Sequence, residues 1–266
     1  MATVTATASL AALQAALAER FPSAAPQASY VAPEMVSAGV AAVDTLTGGL
    51  PRGNLIEICG RRCSGRTSLL LAMLAACTAR GEACALVDAR DSFDPHAGRA
   101  AGIALERLLW VRCARIEQSF RAAEWLLTGG GFGIVALDLG EIPAQTVRRV
   151  PLNVWFRFRR AVEHTPTVLV VLGQQASAGS CAALVLELHA EQSHWHGAVT
   201  NGADAAVRGN DWAAVAHATL LAHKQVRAEV LRSRYAKFVK RPVSIARPRD
   251  ADGRCATFAL APDLSP

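Results

Sequence analysis

No stretch of this chain holds the ~18 consecutive apolar residues that a membrane span needs. The longest apolar runs, such as Thr167–Leu172 and Ile134–Leu137, are only strand-sized. The first residues lack the basic segment and continuous apolar core of an export signal, so a cytoplasmic location is expected. None of the cysteines, at 59, 63, 77, 84, 113, 181 and 255, forms a CxxC pair. An odd, dispersed set of this kind points to a reducing compartment and away from a disulfide framework or a zinc ribbon. His194-Trp195-His196 is the one cluster with metal-binding chemistry, but it lies in a Gly/Asn-rich stretch without soft ligands nearby and reads as a surface loop. Aromatic residues make up only 6% of the chain, so Ala, Leu and Val supply most of the apolar mass. That composition suits buried strands flanked by helices. There is no internal repeat. The chain's 266 residues are enough for one large α/β domain and few for two.

The charge is uneven. The net value is +6, yet the segment from Leu221 to Arg254 alone carries ten Lys and Arg against Glu229, Asp250 and Asp252. Such a segment attracts nucleic acid or an acidic partner; a solvated basic face is the equal alternative. At the other end, Leu10, Leu13, Leu17 and Phe21 recur at three- and four-residue steps. That spacing predicts an amphipathic helix over residues 1–22, ended by Pro22. Residues 23–35 form a Pro/Ala/Ser linker, so the helix is free to dock on a partner or to pack back on its own domain. From 36 to about 220, apolar runs of four to six residues alternate with helical patterns. Leu55–Cys59, Cys84–Val87, Leu109–Arg112, Ile134–Leu137, Val168–Leu172 and Ala183–His189 are the expected strands. Thr67–Ala79, Phe93–Gly102, Ile116–Leu127 and Val150–His164 are the expected helices. The pattern predicts an α/β core with a largely parallel sheet covered on both faces, followed by a basic extension over 221–266.

The most specific local signal is Gly60-Arg61-Arg62-Cys63-Ser64-Gly65-Arg66-Thr67. It has the spacing of the phosphate-binding loop GxxxxGK[ST], with Arg in place of Lys, between an apolar strand and an apolar-faced helix. Glycines let the backbone wrap phosphate oxygens, and the helix N-terminus offers free N–H groups and a positive dipole end. Gly60, Ser64, Gly65, Arg66 and Thr67 are therefore candidate ligands for ATP or ADP, and Thr67 for Mg²⁺. Asp138, delivered by the run Ile134-Val135-Ala136-Leu137, is the candidate second Mg²⁺ ligand. Arg66 alters this chemistry, because a planar guanidinium does not make the single point contact of a Lys ammonium. A loop that holds no nucleotide is the competing expectation.

With those residues in place, the segment from Val36 to about Leu188 resembles bacterial RecA. The approach Asp44-Thr45-Leu46-Thr47-Gly48-Gly49-Leu50-Pro51-Arg52-Gly53, the strand Leu55-Ile56-Glu57-Ile58 and the turn Asp88-Ala89-Arg90-Asp91-Ser92-Phe93-Asp94-Pro95 are all similar to that family. The resemblance implies a RecA-like P-loop fold. It also implies a nucleotide-sensing role for Gln174, in Val170-Val171-Leu172-Gly173-Gln174-Gln175. Where the family keeps the Glu that positions the attacking water, this chain has Arg90. Arg66 and Arg90 together imply a worn hydrolytic site. The gap from Gln175 to Cys181, where RecA has a DNA-binding loop, is short and uncharged. The gap around Glu141–Arg149 is short too, although Arg148 and Arg149 offer a backbone contact.

A RecA core with these losses and a basic C-terminal segment resembles the ImuA family. That resemblance implies a non-catalytic accessory role in SOS mutagenesis. The partners it implies are an ImuB-like inactive Y-family polymerase and an error-prone C-family polymerase, with RecA as a further candidate. The stretch Val226–Tyr235 is similar to that family's charged C-terminal strand. The stretch Tyr235–Pro242 is similar to the RecA segment that reaches a neighbour's nucleotide, which would make the chain a homo-oligomer. The candidate contact residues for partners or DNA are Leu10, Leu13, Leu17, Arg232, Arg234, Lys237, Lys240 and Arg241. Two alternatives remain: an active DNA-dependent ATPase, or a regulator that binds and inhibits RecA.

Overall fold

The computed structural model describes residue 19 and residues 32–195, 221–235 and 255–260. The chain divides into two units, Met1–Pro33 and Glu34–Pro266. The helix expected over 1–22, with Leu10, Leu13 and Leu17, falls outside the described residues, and so do Lys237, Lys240 and Arg241.

In the second unit the strands are β1 (Met35–Val36), β2 (Leu50–Pro51), β3 (Asn54–Gly60), β4 (Cys84–Asp88), β5 (Leu108–Arg112), β6 (Ile134–Asp138), β7 (Val168–Gly173), β8 (Ala182–Trp195), β9 (Leu221–Ser233) and β10 (Cys255–Leu260). The α-helices are α1 (Ala41–Thr47), α2 (Arg66–Ala79), α3 (Pro95–Ala100), α4 (Ile116–Gly129), α5 (Ala144–Arg148) and α6 (Leu152–Val162). Eight strands form one sheet in the order β10-β9-β8-β3-β7-β6-β4-β5. All neighbours from β8 to β5 are parallel, whereas β9 runs antiparallel to β8 and to β10. β1 and β2 make a separate antiparallel pair.

The central strands are buried on both faces, and their alternate residues feed two cores. Ile56, Ile58, Leu86, Ala136, Val170 and Leu186 pack beneath α2, with Leu70, Met73 and Leu74. Leu55, Val87, Val135, Leu137 and Val171 pack beneath α4 and α6, with Ala123, Leu127, Trp155 and Phe158. Phe120 of α4 meets the Trp155 ring edge-on at 5.5 Å and stacks on Phe158 at 5.7 Å, which joins the two helices.

Three stretches differ from the sequence expectations. The short gap after β6 contains a helical turn, α5, and Pro151 then restarts the chain as α6, because proline suits the entry to a helix and not its interior. β8 runs to Trp195, so His194 and Trp195 lie in a strand and not in a loop. The first third of the segment expected as a basic extension is β9, paired with β8 along most of its length. A boundary at 220/221 therefore falls between two strands of one sheet.

Candidate nucleotide-binding site

β3 delivers the chain to Gly60 at the centre of the sheet, beside β8. At Gly60 φ is 151°, and a Cβ would stand 2.4 Å from the Leu188 carbonyl oxygen and 2.6 Å from Ser64 Oγ. Only glycine fits there. The loop then turns through Cys63, whose φ of 57° is unusual for a side-chain-bearing residue. Gly65, left-handed at φ 96°, starts α2. No side chain caps α2, so its first amides have no side-chain acceptor. The Ser64 hydroxyl is buried and without a hydrogen-bond partner. These donors around one turn suit an anion. Lys224 Nζ, from β9, donates to the Cys63 carbonyl, and Arg62 pairs with Glu141 at 2.6 Å. The loop is thereby tied to β9 on one side and to the segment after β6 on the other.

Arg66 turns inward and is buried. Its Nη1 and Nη2 lie 3.5 and 3.4 Å from the Gly140 carbonyl oxygen, which also accepts Gln174 Nε2 at 3.3 Å. The backbone N–H of Gly140 donates to Asp138 Oδ1 at 2.8 Å. Gly140 thus joins Arg66, Gln174 and Asp138 around one peptide. Burial lowers the pKa of Arg66 despite the attraction of Asp138. It raises that of Asp138 despite the Gly140 hydrogen bond. For both groups the loss of water outweighs their mutual attraction. Arg66, Thr67, Phe93, Asp138 and Glu141 line a cavity of about 250 Å³.

The phosphate half of the site fits its ligand, because uncapped amides and an orphan hydroxyl face the loop. The metal half does not fit Mg²⁺. A buried guanidinium shares the cavity with the carboxylate that would hold the ion, and it adds positive charge where a divalent cation would sit.

Asp88, at the end of β4, is buried. Its oxygens accept the N–H groups of Arg90 at 3.1 Å, Ser92 at 2.7 Å and Phe93 at 2.8 Å, together with the Ser92 hydroxyl at 3.3 Å. This carboxylate shapes the turn. Arg90 is exposed, and Asp91 points to Arg112 at 3.7 Å. No carboxylate of the turn itself lines the cavity.

The loop after β7 has its own frame. Glu57 in β3 is buried, and its Oε1 accepts Ser177 N at 2.7 Å and Ala178 N at 2.9 Å, while Oε2 has no partner. Burial pushes its pKa up. Arg232 of β9 donates to the Gly179 carbonyl, and Arg234, just past the strand, donates from Nη2 to that of Ser180 at 2.9 Å. Two candidate partner-binding arginines are therefore engaged with the chain's own backbone. Glu57 and Lys224 were not singled out as functional from sequence. Glu57 stands inside an apolar strand, which was its signal; Lys224 was one of many charges in a basic segment.

The sheet order, the loop at its centre and the carboxylate on the neighbouring segment make this a RecA-like P-loop domain. Residues 25–146 match the family model of the RecA N-terminal domain. Among curated proteins, Protein RecA of Rhodospirillum rubrum is 37% identical over 112 residues, a stretch covering 41% of this chain and 31% of that protein. The match thus spans about a third of the length of that relative. Among the described residues, no helix is long and apolar enough to cross a membrane.

Proposed function

We propose that this RecA-like protein is a non-catalytic accessory factor in SOS-induced translesion DNA synthesis, which recruits an ImuB-like polymerase subunit by protein–protein contact. The observation that carries the reading is the inward-turned Arg66, bound to Gly140 beside Asp138. A site that moves a γ-phosphoryl group needs a mobile point charge, a metal and a group that orients water. Here the charge is a buried cation turned onto the Gly140 carbonyl, and the turn that would orient water presents an exposed arginine. The loop is left as a cradle that takes ATP or ADP weakly, or serves as a structural turn. An error-prone C-family polymerase and RecA are further partners in this reading. The short, internally bonded loop after β7 argues against strand exchange, and Arg66 against an active ATPase.

The test is co-purification of the full chain with an ImuB-like subunit. Capture is expected with and without ATP, and equally for Thr67→Ala. Deleting residues 1–22, or neutralising Lys237, Lys240 and Arg241 together, should weaken it. Capture of RecA alone, with inhibition of RecA, would instead favour the regulator.

A further inference from the structure

The phosphate loop suits an anion in one half and rejects a divalent cation in the other. α2 runs for 14 residues, and its first amide bonded to a carbonyl is that of Leu69, which donates to Gly65. Among the described residues, the amides of Arg66, Thr67 and Ser68 have no backbone acceptor. Ser64 adds a second, independent donor. It is only 3% exposed, and its Oγ has no hydrogen-bond partner. That oxygen is turned into the loop, 2.6 Å from where a Cβ of Gly60 would stand. A buried hydroxyl without a partner is costly, so this one suits a ligand that brings its own acceptor.

The positive charge of the site is built in. Arg66 is 6% exposed and shares its cavity with Thr67 and Asp138. Arg66 Nη1 and Asp138 Oδ1 both stand against Gly140, 3.2 and 3.0 Å from where a Cβ would lie. The guanidinium thus lies beside the two residues that would hold a divalent ion. A Mg²⁺ carried in with a nucleotide would meet this cation in a water-poor cavity, where like charges repel strongly. Lys224 adds another cation at the rim, on the Cys63 carbonyl. Deeper in, Arg66 and Gln174 both turn to the Gly140 carbonyl, and the carboxylates of Asp138 and Glu141 would repel a further phosphate.

We propose that Gly60–Thr67 is a metal-independent site for a diphosphate, the free end of a nucleoside diphosphate or inorganic pyrophosphate, with Arg66 as the fixed countercharge in place of Mg²⁺. The phosphate oxygens accept the α2 amides and the Ser64 hydroxyl. Arg66 attracts the anion across the cavity without touching it. The free anion is therefore preferred to its Mg²⁺ complex, and a third phosphate adds little. This rests on the reading of the loop as a cradle and sets aside the purely structural turn.

Isothermal titration of the full chain with ADP and with inorganic pyrophosphate, each in EDTA and in excess Mg²⁺ at matched ionic strength, tests this. Binding is expected in EDTA, and Mg²⁺ should weaken it about fivefold or more. ATP in EDTA should bind within about threefold of ADP. Equal affinities for ADP and pyrophosphate would assign the site to the diphosphate alone; tighter binding of ADP would assign it to a nucleotide. Ser64→Ala should weaken binding in EDTA about fivefold or more. Arg66→Met should weaken it about tenfold and remove the Mg²⁺ penalty. Ser64→Ala stands as the test if Arg66→Met does not fold. The proposal is overturned if neither ligand binds in EDTA, if Mg²⁺ strengthens binding, or if ATP binds more than about tenfold tighter than ADP. It is also overturned if Ser64→Ala, or a folded Arg66→Met, binds like the parent. Capture of an ImuB-like subunit is expected with or without nucleotide, so failure here leaves the docking reading standing.

Discussion

Two tasks are open to a cation at the head of α2, and the geometry of Arg66 selects one. Facing out, it would meet a phosphate. Facing in, as it does, it spans to Gly140 through contacts of 3.4 and 3.5 Å, which are long for a charged donor. A buried cation held by weak bonds contributes little to stability, because desolvation offsets the attraction. Arg66→Met is therefore expected to change unfolding free energy by less than about 1 kcal/mol, or to stabilise. Asp138→Ala leaves the guanidinium without its countercharge and should cost about 2 kcal/mol or more in urea melts. Glu57 gives a pH signature. Its folded pKa lies above the unfolded value, so the folded state holds the proton more tightly and stability falls as pH rises through that raised pKa. Glu57→Gln should flatten this decline, seen by comparing melts at about pH 5 and about pH 8. A parent protein with no such decline would mean that Arg232 and the two amides dominate instead.

Elements were legible where burial on both faces left an unbroken apolar run. β3, β4, β6 and β7 read directly from sequence for that reason, and so did the loop between β3 and α2. β9 did not. It alternates Val226, Ala228 and Val230, all buried, with Arg227 and Glu229, which pair on the other face. A strand with one polar face at the margin of a sheet looks like a charged segment when only its charges are counted. The destination of Arg66 was also hidden, because sequence identifies a side chain but not which way it turns. The link between α4 and α6 is a cluster of three aromatic rings, Phe120, Trp155 and Phe158. Trp155→Ala removes the residue that meets both Phe120 and Phe158, and should cost about 3–5 kcal/mol. A thermal melt within a degree or two of the parent would show that α6 is held by other contacts.

For the whole molecule, the position of β9 matters most. It covers β8, anchors the loop after β7 through Arg232, with Arg234 just past its end doing the same, and ties the phosphate loop through Lys224. Ending the chain after Leu220 would expose the β8 edge and the apolar face that Val226, Ala228 and Val230 complete. That truncation should lose cooperative unfolding and aggregate, as judged by size-exclusion chromatography; a soluble, cooperative product would mean that β9 is dispensable.

We propose that Arg66 and Arg90 leave this RecA-like scaffold suited to docking and not to ATP hydrolysis. Phosphate release from ATP by the purified full chain, with Mg²⁺ and single-stranded DNA, measures this directly. The expected rate is no different from that of Thr67→Ala. Brisk release that needs the metal and vanishes in Thr67→Ala would contradict the account.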